Sequence, residues 1–141
     1  MDSEAIAANV GEVLGGLPPG VRLVAAAKSR TTDEVRAAIA AGVRHVGHNY
    51  VQEAARMLAD FAADRGGARW HMIGHLQRNK AKDAVSLFDV IETVDSAPLA
   101  EALDRRCGIV GIAREVLVEV NSGREPGKAG VMPEAIGARV C

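Results

Sequence analysis

Five places in this 141-residue sequence set ionisable or amide side chains directly after short apolar runs: Lys28, His48 with Asn49, Gly74 with His75, Asp95 with Ser96, and Asn121 with Ser122. Of these, Lys28 has the most distinctive chemistry. It follows RLVAAA (22–27). At the tip of a buried strand its ammonium would be partly desolvated and its pKa pushed down. A neutral amine attacks an aldehyde, so such a lysine suits carbonyl chemistry, although a flexible stem can also carry the charge to water.

Other patterns carry less. His71 and His75 are four apart, but Met72 stands where an H-E-x-x-H zinc helix needs glutamate. In a strand, four residues span roughly 13 Å, too far for one metal. We therefore expect no metal site. The segment SGREPGKAG (122–130) has three glycines and Lys128, yet Ala129 replaces the Ser/Thr of a nucleotide P-loop. It reads as a rim loop whose lysine could meet an anion.

The elements that must position these residues follow a repeating pattern. Residues 3–14 have helical spacing and GGLPPG stops them. Strands are predicted at 22–27, at RHVGHNY (44–50), at 69–74, at 89–94 and at REVLVEVN (114–121), the last being the most regular. Helices are predicted from Thr31 or Thr32 to Gly42, over 50–64, over 77–87, and over 96–107 with Ser96 as cap and Pro98 in the first turn. A further helix begins at 133–140. Five strand–helix units about 20 to 25 residues apart predict a parallel α/β sheet, whose ligands gather at the carboxyl ends of the strands. The alternatives are an open doubly wound sheet and a (β/α) barrel. The first strand lacks a G-x-G-x-x-G, which weakens the dinucleotide-binding form of the open sheet.

Composition sets the outer limits. Hydrophobic residues are 48%, charged residues 25% and aromatics 3%, so a single domain is expected over 1–141 with a core of small aliphatic residues. A net charge of -1 with scattered cations argues against a nucleic-acid partner. No run approaches the ~20 apolar residues of a membrane helix, and the acidic N-terminus is unlike a signal peptide. Cys107 and Cys141 form no disulfide framework. A cytoplasmic protein is expected.

The segments LVAAAKSRT (23–31), GHNYVQEA (47–54), WHMIGHLQRNKAK (70–82), IETVDS (91–96) and LVEVNSGREPGKAG (117–130) resemble, in order, the motifs of the pyridoxal phosphate homeostasis proteins, the YggS/PROSC family. The resemblance implies a fold-type III barrel related to the N-terminal domain of alanine racemase. It also implies that Lys28 holds pyridoxal 5'-phosphate as a Schiff base, with Asn49, His75 and Asn121 as further cofactor-binding residues. Family members are held to buffer the cofactor, or deliver it to apoenzymes, without turnover. Racemases of this barrel type take a second acid/base from a C-terminal β-domain that has no counterpart here.

Two departures from the family are visible. His48 stands where the family has glutamate. Only about five of eight β/α units are recognised, so the C-terminal segments that hold the phosphate in the family find no match, and a fragment unable to retain the cofactor is an alternative. Such a fragment is expected to be marginally stable, because 114–121 would form an unpaired edge.

Overall fold

The computed structural model describes residues 1–136. After the N-terminal helix α1 (Ser3–Gly16) come β1 (Ala25–Ala26), α2 (Thr32–Ala40), β2 (His45–His48), α3 (Val51–Ala59), β3 (Arg69–Met72), α4 (Ala81–Leu87), β4 (Val90–Val94), α5 (Ala97–Val110) and β5 (Glu115–Val118). Short 3₁₀ turns occupy Arg65–Gly67, Arg78–Lys80 and Pro133–Ala135. All neighbouring strands are parallel, and their spatial order follows the chain, β1-β2-β3-β4-β5.

That order separates the two candidate architectures. Right-handed crossovers between strands laid down in sequence put every connecting helix on the same face. A doubly wound sheet must instead reverse direction partway. The core agrees with a barrel arc. Val35 and Ile39 of α2, Ala54 and Met57 of α3, Ala84 and Val85 of α4, and Leu99 and Leu103 of α5 pack into one cluster with Val46, Trp70, Met72 and Ile91 of the sheet.

Register explains which strand residues join that core. His48 lies opposite Met72, and Met72 opposite Ile91, in a row facing the helices. The alternate row, Ala26, Gly47, His71 and Val90, lies on the helix-free face that forms the lining of a barrel. Trp70 anchors the packed side. Its ring meets Phe61 edge-on at 5.2 Å, and its indole N–H donates to the Arg65 carbonyl at 3.1 Å. Arg65 in turn donates to the carbonyls of Leu87 and Ser86, binding the loop before β3 to the end of α4.

Local signals account for the helix ends. Thr31 and Glu34 form a reciprocal capping box at α2, and Ser96 accepts from the Leu99 N–H at α5. Gly111, with φ of 72°, stops α5 in the left-handed conformation. The helix predicted over 96–107 therefore runs three residues further. The helix predicted over 50–64 ends early, at Ala59, and that over 77–87 begins as a 3₁₀ turn.

The largest differences are at the sheet edges. Only Ala25–Ala26 of the run 22–27 pair as a strand, because β1 has a neighbour on one side alone. The regular stretch 114–121 yields only Glu115–Val118, and all four residues are exposed. Its alternating valines are only about half covered, since β5 has β4 alone beside it. The 3₁₀ turn at Pro133–Ala135 replaces the start of the last predicted helix, whose remainder lies outside the described residues.

Candidate functional site

The carboxyl ends of the strands do gather the residues singled out above, but not into one pocket. Lys28 follows β1 in a turn closed by the Arg30 N–H donating to the Ala27 carbonyl at 3.0 Å. The Ala27 N–H donates to the Gly47 carbonyl at 2.9 Å and holds that turn against β2. The Lys28 side chain is exposed and forms no ion pair among the described residues. The desolvation expected from its position after an apolar run is therefore not realised, since an edge strand covers it on one flank only.

Asn49 and His75 do meet. Together with Tyr50, Gly74, Gln77 and Lys80 they line a cleft of about 400 Å³ between the ends of β2 and β3. Gly74 makes this approach possible. A Cβ there would sit 2.2 Å from the Asn49 carbonyl oxygen and 2.7 Å from its Cα, a clash with backbone that no rotamer relieves. Thr93 on β4 adds a hydroxyl that donates to the Gly74 carbonyl at 2.6 Å. His75 is exposed, with Nδ1 3.7 Å from the Asp95 carboxylate. The rim is thus tied across β2, β3 and β4.

Asn121 lies apart from that cleft and is buried. Its amide is spent on its own loop: Nδ2 donates to the Glu125 carbonyl at 2.9 Å, and Oδ1 accepts from the Glu125 N–H at 3.1 Å. A backbone bond from the Asn121 N–H to the Val131 carbonyl, 2.8 Å, closes the base of the loop. Lys128 within it pairs with Glu125, three residues back.

His48 turns away from the rim, into the helix side. It is fully buried and stacks on Trp70 with centroids 5.6 Å apart and planes 6° from parallel. Neither ring nitrogen has a hydrogen-bond partner among the described residues. Burial pushes its pKa below the ordinary 6.5, while the Glu53 carboxylate acts in the opposite direction. The ring behaves as a flat apolar plug beneath the site.

Sequence reasoning missed a polar chain on the helix-free face. His71 Nδ1 stands 2.8 Å from Glu92 Oε1, and His71 Nε2 stands 2.9 Å from His45 Nδ1. A carboxylate only accepts, so a neutral His71 carries its proton on Nδ1 and accepts from His45. Burial, and then the adjoining His71, lower the His45 pKa. His71 and His75 thus belong to different networks. Among the described residues no group of three or more His, Cys, Asp or Glu is placed to hold a metal ion. Glu53 was also missed, though it lies within the NYVQE segment. It accepts from the Ser29 N–H at 3.0 Å, beside Lys28.

Lys28 is an amine open to solvent in the turn after β1, and a primary amine is the group that captures an aldehyde. The alanine racemase N-terminal domain family matches residues 1–140. The chain is 39% identical over 94 residues to the pyridoxal phosphate homeostasis protein of Synechocystis sp., covering 67% of this chain and 43% of that protein. It is 34% identical over 129 residues to the protein of the same name in Pseudomonas aeruginosa, covering 90% and 54%. The chain spans about half the length of the curated relatives it matches. Among solved structures, PipY of Synechococcus elongatus with PLP bound superposes with a TM-score of 0.86 at 41% identity, over 94% of this chain and 61% of that one. Alanine racemase from E. faecalis shares the fold, with a TM-score of 0.73 at 16% identity. No described helix is long and apolar enough to cross a membrane. With the match running almost end to end and the sequential parallel sheet it requires in place, the chain belongs to the alanine racemase N-terminal domain family, as five strands of its barrel.

Proposed function

We propose that this chain takes part in pyridoxal 5'-phosphate homeostasis, holding the cofactor through Lys28 without turning over a substrate. The observation that carries the proposal is the placement of Lys28: an accessible amine, without an ion pair among the described residues, in the turn that follows the first strand. When bound, the cofactor supplies an aldehyde that a lysine amine can capture reversibly. PipY, 41% identical, binds PLP.

The roles of the other residues follow from their surroundings. Asn49 offers amide hydrogen bonds from the cleft between β2 and β3, and His75, with Asp95 3.7 Å from its Nδ1, offers a ring nitrogen. Asn121 serves the site indirectly, by shaping the loop after β5. Phosphate selectivity belongs to segments beyond β5 in the family's barrel, so the affinity of these five strands rests mainly on Lys28. Delivery to apoenzymes in the cytoplasm completes the proposed role. Racemisation would need a second acid/base on the opposite side of a substrate, which the proposed carrier role does not require.

The test is peptide mapping after incubation with pyridoxal phosphate and borohydride reduction. A label confined to Lys28, and lost in Lys28→Ala, is the expected result. Equal labelling of Lys80, Lys82 and Lys128, or a label indifferent to Lys28→Ala, would overturn the proposal. Added L-alanine should keep its optical rotation.

A further inference from the structure

We propose that Glu53 is the positioning residue for Lys28, its carboxylate reaching from the first turn of α3 to fix the turn that carries the lysine. The inference rests on Lys28 being the cofactor-holding amine. Its structural basis is a contrast between two glutamates at the same helical position. Glu34 is the third residue of α2, and it folds back on its own cap, accepting from the Thr31 N–H at 2.9 Å. Glu53 is the third residue of α3, whose N-cap residue Tyr50 makes no side-chain cap bond. The local bond is open to it, as it is to Glu34. Glu53 instead reaches across to the Ser29 N–H, 24 residues away in sequence, at 3.0 Å.

The backbone at Ser29 gives that reach a purpose. Its φ of 61° lies in the left-handed region, disfavoured for a residue with a Cβ. Among the described residues no backbone carbonyl accepts from the Ser29 N–H. The turn is therefore held by two backbone bonds around Ala27 and by this carboxylate. Without the third tether the chain after Ala27 is free to relax toward ordinary dihedrals, and Lys28 loses a fixed bearing on the rim. Helix-dipole compensation is the simpler role for an acidic residue in a first turn, but it needs no particular reach.

Reach and charge can be separated experimentally. Glu53→Asp keeps the charge at the helix start and shortens the arm by one methylene. Glu53→Gln keeps the arm and its accepting oxygen but removes the charge. Two readouts apply: hydrogen exchange at the Ser29 amide in the cofactor-free chain, and the initial rate of borohydride-trapped labelling of Lys28 by pyridoxal phosphate. The expected result is that Glu53→Asp and Glu53→Ala speed Ser29 exchange and slow Lys28 labelling by about fivefold, the scale of one ordinary hydrogen bond set by reach. Glu53→Gln should stay near wild type in both. Should Glu53→Ala not fold, the Asp and Gln pair carries the test. Unchanged Ser29 exchange in Glu53→Asp, or a Gln variant as impaired as the Asp one, overturns the inference. Absence of Lys28 labelling in the wild type would instead sink the cofactor reading, while the exchange measurement still decides whether the tether exists.

Discussion

One row of side chains crosses the sheet from its interior to its edge, and its burial changes abruptly. His48 on β2, Met72 on β3 and Ile91 on β4 are 0%, 1% and 0% exposed, whereas Val116, their neighbour on β5, is 44% exposed. A histidine is more deeply buried than a valine in the same row. Position in the sheet decides this, since the inner strands have a strand on both sides and helices above. β5 has β4 alone, and its Leu117 and Val118 are about half exposed as well. Burial here follows neighbours, and residue polarity yields to it.

The largest test of that contrast is Trp70→Ala, which empties the packed side under β2 and β3. A loss of about 3–5 kcal/mol is expected, read as a fall in urea midpoint and Tm. A loss below 1 kcal/mol would mean that the inner strands are no better packed than the edge.

Acidification should act next, and on the same inner strands. His48 and His45 are held neutral by burial, their pKa values below the ordinary 6.5. The unfolded chain takes up protons as pH falls through that ordinary value, while the folded chain resists. Stability is therefore complete well above the ordinary 6.5 and declines as pH falls through that value and below it. The urea midpoint should fall accordingly, and His48→Phe, which keeps a flat ring on Trp70, should flatten part of the decline. A midpoint independent of pH would break the account of His48 as a neutral plug.

Smaller changes sharpen the row itself. Ile91→Val, one methyl lost from a filled core, should cost about 0.5–1.5 kcal/mol. Val116→Ala should lie within about 0.5 kcal/mol of wild type, since its side chain already meets water. A Val116→Ala cost as large as that of Ile91→Val would reveal a surface covering β5 in solution. Amide exchange across 114–121 gives the same answer without mutation: weak protection is expected in a dilute sample.

Much of the local structure was legible because it depends on short-range chemistry. The Thr31–Glu34 and Ser96 caps appear where the residues place them, and the strands expected at 44–50, 69–74 and 89–94 form, shortened to His45–His48, Arg69–Met72 and Val90–Val94. The edge strands were not legible, because an apolar run carries no mark of whether a neighbour exists to cover it. REVLVEVN is the clearest instance. At the site, Lys28, Asn49 and His75 were found as strand-end residues. Lys28's exposure and Asn121's commitment to its own loop depend on groups distant in the chain. Glu53 had a usable signal, an N3 glutamate with no Ser, Thr, Asp or Asn three residues before it.

The sequence by itself determined the repeating strand–helix order, the helix caps and the lysine at the tip of the first strand, since caps, periodicity and turn residues act within a few positions of one another. Only the tertiary structure decided that the strands follow one another in space without reversal, that His48 faces Trp70 and not the rim, and that Glu53 bypasses its own helix to hold the turn beside Lys28. Those outcomes depend on strand register and on which side of the sheet each residue meets, and both are set by contacts between segments roughly 20 or more residues apart.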